Sequence, residues 1–250
     1  ASYPFLRARE ASLRGTMGFD FVDQDVDFND AALTRDRLRI LFGRLAFESV
    51  DPASLAFRNG FSPAEPRWAG RGLIEVRQGL DILDASPDCR AAPATCLVPG
   101  AAPPSRILGD PTGTLVRAVA AAEFRPVPSV AVVIETRAQY SANALLAFEE
   151  FSAGNFTIGR GFEPGTLLGD SGVGSSIELR FGSLAPTSRD EFRVQPYAFF
   201  DVARVWNEDV AIGDGILSSA GGGLRGVWGG RIQAEVSVGR PLQRAAPRAQ

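Results

Sequence analysis

Side chains along most of this chain alternate with a period of two, and that limits what it can fold into. From Arg231 to Gly239, Ile232, Ala234, Val236 and Val238 fall on one face, with Gln233, Glu235 and Ser237 on the other. From Val130 to Tyr140, Val132, Ile134, Thr136, Ala138 and Tyr140 oppose Glu135, Arg137 and Gln139. Ile74, Val76, Leu80 and Ile82 oppose Glu75, Arg77, Gly79 and Asp81, and Leu13, Met17, Phe19 and Phe21 oppose Arg14, Thr16 and Asp20. Between Leu115 and Arg125, Arg117, Glu123 and Arg125 share one face, with Val116, three alanines and Phe124 on the other. Ile177, Leu179 and Phe181 oppose Glu178 and Arg180. Almost no stretch shows the helical period, so the chain reads as all-β.

Alternating strands build either a soluble sandwich with its apolar face inward, or a membrane barrel with its apolar face toward lipid. Length favours the barrel. Soluble strands run about 5–6 residues and membrane strands about 9–11, and the segments here are of the longer kind. Arg and Glu lie well inside the segments, as a wet interior allows, and Phe124, Tyr140, Trp206 and Trp228 sit at segment ends, as interfacial aromatics do. Connection lengths alternate too. Tight turns are expected near Arg9, Pro126–Pro128 and Gly229, and longer loops over 25–34, 83–113, 141–172 and 207–215. Residues 49–67 break this rule with a long connection on the short side. A bulge is expected near Gly43, where the apolar face switches between Phe42 and Leu45.

Composition removes several chemistries. The 26 basic residues are all Arg, and no His is present. Without Lys or His there is no Ser/His/Asp triad, no zinc-peptidase site and no P-loop lysine, so no catalytic site, metal or cofactor is expected. A net charge of −3 argues against a nucleic-acid partner. No apolar run is long enough for a membrane helix, and Ala1-Ser2-Tyr3-Pro4 is unlike a signal peptide. Cys89 and Cys96 lie close together in a Pro/Ala-rich stretch, which suits either a loop disulfide in an oxidising compartment or two free thiols. Arg204 falls on the lipid-facing parity beside Trp206, where it can snorkel or meet a lipopolysaccharide phosphate.

The segment Ser141–Gly172 is unlike an exposed tip, although its own residues also suit a Gly-rich surface loop with a solvated Arg. Gly159-Arg160-Gly161-Phe162 puts one Arg between two glycines, which lets the backbone turn tightly and approach a wall. Such an Arg calls for a carboxylate. The stretch continues to Gly169-Asp170-Ser171-Gly172 and Glu178-Leu179, then to Tyr197–Trp206, Leu217–Arg225 and Gly239-Arg240-Pro241-Leu242. This series resembles the transporters of two-partner secretion, the haemolysin secretion/activation family, within the superfamily that includes the outer-membrane insertases. Ser2-Tyr3-Pro4 and Gln78-Gly79-Leu80-Asp81 fit more loosely. Gly159 stands where the family usually has Val, and Ala203 where it prefers Gly.

The resemblance implies a transmembrane antiparallel β-barrel of about sixteen strands in a bacterial outer membrane. Residues 1–250 would be its C-terminal portion, without the periplasmic substrate-binding domains or the last strand. The 141–172 loop would fold into the lumen and latch there, Arg160 meeting Asp201 on the wall and Glu178 sharing the charge. The implied function is not enzymatic: a monomeric pore exporting a large haemolysin- or adhesin-like exoprotein, with that exoprotein and the membrane lipid as partners. An insertase of the same superfamily, a passive porin and a soluble β-sandwich module are the alternatives.

Overall fold

In a computed structural model, every residue is described except 30, 99, 155–157, 187, 189, 210, 211, 230 and 244–250. The described residues form twelve strands: β1 (Ser2–Arg7), β2 (Ala11–Phe28), β3 (Ala31–Val50), β4 (Trp68–Gly79), β5 (Thr114–Val127), β6 (Val130–Ser141), β7 (Phe151–Ala153), β8 (Leu167–Gly169), β9 (Ser171–Phe181), β10 (Phe192–Trp206), β11 (Gly215–Trp228) and β12 (Ile232–Gln243). Ten form one antiparallel meander, β1-β2-β3-β4-β5-β6-β9-β10-β11-β12, while β7 and β8 make a small hairpin of their own. Among the described residues β1 and β12 do not pair with each other and are the sheet edges.

Register carries the alternation from strand to strand. Glu75 stands opposite Arg117, Arg117 opposite Gln139, and Gln139 opposite Gly172. Further round, Glu178 faces Phe199 and Asp201 faces Ser219. All these residues share one face. Ile74, Ile134, Ile177, Phe200, Leu224 and Val236 occupy the other, and that face is exposed: Ile134 is 42 % and Val236 76 % accessible. A single-residue slip anywhere would carry every apolar side chain across the sheet, so the shared pattern locks the register. The apolar residues do not gather in a dry centre. They form the outer surface, as a wall facing lipid requires.

The polar face is concave. The connection between β6 and β9 touches Leu38 and Ile40 on β3 through Leu146, Arg77 on β4 through Glu149, and Asp201 on β10 through Arg160. One connection can meet strands so far apart in the sheet only if the sheet curls around it.

Two expectations need correction. The stretch 25–34 is no long loop: β2 runs to Phe28 and β3 starts at Ala31, with Asn29 turning at φ 49°. Asp25 pairs across the hairpin with Arg35, and Asp23 with Arg39. No bulge lies at Gly43, which pairs in unbroken register with Met17 and Val76; the break in this hairpin comes between Val26 and Asp27. The apparent switch of face arises because β3 is apolar on both sides. Leu41, Leu45 and Phe47 face outward, while Leu38 and Ile40 are buried inside against Leu146. Residues 51–67 do form a long connection, and it holds a single-turn helix α1 (Pro52–Leu55). Asp51 caps α1 by accepting from the N–H groups of Ala53 and Ser54 and from the Ser54 hydroxyl. Those bonds, the hydroxyl's first, hold its carboxyl below the usual 3.8.

Candidate functional site

The concave face carries the charged residues, and the connection 142–170 presses an arginine against them. Phe151, Ala153, Ile158 and Leu167 pack with Ala203, Val205 and Leu217 on the inward faces of β10 and β11, and Phe162 rests on this cluster. The cluster fixes the segment's depth. Gly159, at φ 85°, then turns the chain so that Arg160 meets the wall, a conformation Val would adopt only with strain. This accounts for Gly at that position.

Arg160 uses four of its five N–H donors. Nε and Nη2 donate to Asp201 at 3.1 and 2.8 Å, Nη1 to Glu178 at 2.8 Å and Nη2 also to Ser176 at 2.7 Å. The guanidinium lies 3.6 Å over the Phe199 ring. Asp201 is completely buried, and its Oδ2 also accepts the main-chain N–H groups of Gly159 and Arg160 at 3.1 and 3.0 Å. The carboxylate therefore holds the loop's backbone as well as its charge. Glu178 receives Arg160, Arg180 and Arg225 together, and Arg225 also reaches Glu235.

The remaining motif positions secure the loop's two flanks. A Cβ on Gly161 would come within 2.8 Å of the Arg240–Pro241 backbone, and one on Gly172 would run into the Phe151 ring. Gly169 lies similarly close to the Trp206 carbonyl. Asp170, also fully buried, gathers three connections: it accepts from the Arg106 guanidinium, from Leu145 N–H at 2.7 Å and from Glu208 N–H at 2.9 Å. Cys89 and Cys96 form a disulfide within the connection 80–113. Beside it, the Arg90 side chain holds the Asp88 carboxyl down at about 2. Arg204 projects from the outer face, 3.5 Å from Asp214.

Sequence reasoning missed two charged residues. Glu149 meets Arg77 and Arg117, and Arg106 meets Asp170. Neither stands in a motif. Glu149 is one of two adjacent glutamates in Phe148-Glu149-Glu150-Phe151, and nothing local marks that Glu149 meets Arg77 and Arg117 while Glu150 meets Arg106.

A sequence model of the haemolysin secretion/activation protein family (ShlB/FhaC/HecB) matches residues 73–226, more than half of the chain. No curated protein matches by sequence. Among solved structures, CdiB from Escherichia coli superposes with a TM-score of 0.75 at 18 % identity, over 99 % of this chain and 42 % of that protein. CdiB from Acinetobacter baumannii superposes at 0.66 with 15 % identity, over 97 % of this chain and 37 % of that one. The chain thus spans less than half the length of these proteins, and at such identities the likeness establishes the fold. The family match, the outward apolar face and the superposition agree: this chain belongs to the haemolysin secretion/activation protein family, and its ten-stranded sheet is wall of a β-barrel in a bacterial outer membrane.

Proposed function

We propose that the protein exports a large secreted exoprotein across the outer membrane in two-partner secretion, with the loop 141–172 as the movable element inside the pore. Arg160 on Asp201 and Glu178 is the latch that holds this loop in its resting place. The observation carrying this reading is the seating of Arg160: its guanidinium donates four bonds to side chains of the wall, and the same Asp201 accepts the main-chain N–H groups of Gly159 and Arg160. A loop lying across the concave face leaves a passive porin without a clear bore. An extended polypeptide needs that face free, so the latch must open for passage.

The test is export by the intact protein carrying Arg160→Ala, with the cognate exoprotein supplied and its release into the medium measured. Export should fall severely while the barrel still assembles and shows heat-modifiable migration. Unchanged export from a folded variant would remove the latch. A protein that assembles other barrels normally but releases no exoprotein in any form would favour the insertase reading.

A further inference from the structure

Glu149 sits on the same loop as Arg160 but against the opposite side of the concavity. Arg77 on β4 grips its carboxylate with two bonds, Nε at 3.1 Å and Nη2 at 2.9 Å. Arg117 on β5 approaches it at 2.9 Å. The Glu149 main-chain carbonyl accepts from Arg117 at 3.0 Å and from the Gln139 side chain on β6 at 2.7 Å. Glu149 and Arg77 are both almost completely buried. Here, as at Arg160, the wall holds a charge and the adjoining backbone together.

The partners of the wall residues give this contact its meaning. Arg77 also pairs with Asp20 and Glu75 on the wall. Arg117, among the described residues, finds its carboxylate on the loop, at Glu149. On the other side Asp201 likewise finds its cation on the loop, at Arg160. Each side thus has a charged wall residue, of opposite sign, that is met from the β6–β9 connection.

We infer that Glu149 is a second latch, a positioning residue that pins the loop's first half to β4–β6 independently of Arg160, so that the loop is released in two separable steps. Withdrawing the first half would leave Arg77 and Arg117 as a cationic site for carboxylates on a passing chain. The inference builds on the movable loop proposed above, but its test needs no exoprotein and reads loop position directly.

Single cysteines are introduced into the intact protein in outer-membrane vesicles, at Leu146 beside the Glu149 contact or at Ala153 beside the Arg160 contact. Both positions are buried, and the native cysteines are consumed in their disulfide. The readout is the rate of modification by a water-soluble maleimide. Glu149→Gln should raise labelling at 146 about tenfold or more while 153 stays protected, and Arg160→Ala should do the reverse. Arg77→Glu should also expose 146, and Arg77→Glu with Glu149→Arg should restore its protection. A role confined to packing would not be rescued by exchanging the charges. The inference is overturned if Glu149→Gln leaves 146 protected, if the exchanged pair in a heat-modifiable barrel labels as fast as either single variant, or if Arg160→Ala exposes both positions equally. Should the exchanged pair fail to assemble, the near-isosteric Glu149→Gln decides. Unchanged export with 146 and 153 both behaving as expected would count against the export reading alone.

Discussion

Asp201 should matter more than Arg160, although the two face each other. Arg160→Ala leaves a buried carboxylate behind, and breaking a buried pair from one side costs about 3–5 kcal/mol. Asp201 keeps the N–H groups of Gly159 and Arg160, so part of that cost is relieved, to about 2–4 kcal/mol. Asp201→Ala strands both of these N–H groups inside the wall, at about 1–3 kcal/mol each, and removes the bidentate partner of the guanidinium. Glu178 and Ser176 still hold Arg160, so the sum stays near about 4–6 kcal/mol. At about 1.4 kcal/mol per tenfold, Arg160→Ala should raise the open population of the loop's second half roughly 30- to 700-fold, and Asp201→Ala should free it almost fully. The assay is maleimide labelling of Ala153→Cys in membranes. In that assay Asp201→Asn, which keeps an oxygen for the two main-chain donors, should fall between the two alanine variants. Equal labelling in the Arg160→Ala and Asp201→Ala proteins would refute the idea that this carboxylate holds the backbone.

Gly239→Ala would place a Cβ 2.8 Å from the Arg160 carbonyl oxygen, so it should loosen the tip and speed labelling at position 153 without touching any charge. Reducing Cys89–Cys96 opens a loop with a sequence separation of 7; a closure that short is worth about 2–3 kcal/mol, and trypsin cleavage after Arg90 on whole cells should accelerate accordingly. Ile134→Arg puts a charge on the outer face at a cost of about 2–4 kcal/mol near the bilayer centre and should block assembly, whereas Glu135→Gln next to it should assemble normally. Asp51→Ala should fray α1. Because the Asp51 carboxyl is lowered in the fold, its contribution is present at neutral pH and disappears as the pH falls below 3.8 and through the depressed folded value. Hydrogen exchange at residues 52–57 should therefore quicken on acidification in the native protein and lose that acid dependence in the variant.

The wall of this protein was legible in its sequence because a strand's two faces are set by parity alone. Once Asp201 is placed inward, parity puts Tyr197 and Phe199 on the same side, and the register of the structure adds Ser219 and Glu178. The errors came where chemistry of one kind served two purposes. The stretch 25–34 looked like a loop, because charge usually marks solvent, yet Asp25 pairs with Arg35 across a hairpin longer than its neighbours. Leu45 and Phe47 looked like a switched face after Leu38, Ile40 and Phe42, yet they lie on the outer side of an unbroken strand while Leu38 and Ile40 cover Leu146 from within. Glu149 escaped notice for a third reason. Its partners Arg77 and Arg117 lie 72 and 32 residues away, and only the closing of the sheet around the loop brings them together.

The two sides of the concavity differ in the material they offer the loop, and the difference fits their separate release. Along β9–β12 the inward positions near the tip are small: Gly172, Gly174, Ser176, Ala203, Ser219, Gly221 and Gly239. Backbone can approach backbone there, and Phe151, Ile158 and Leu167 fill the remaining space. That half of the loop is held by close packing together with the Arg160–Asp201 contact. Along β4–β6 the inward positions are Glu75, Arg77, Arg117, Gln139 and their neighbours, and the loop reaches them through Glu149. Contacts of the second kind are few and directional and can be exchanged for water one at a time, whereas close-packed contacts must be broken together. The Glu149 half should therefore detach first, and an incoming chain bearing carboxylates would find Arg77 and Arg117 turned toward it before the Arg160 half gives way.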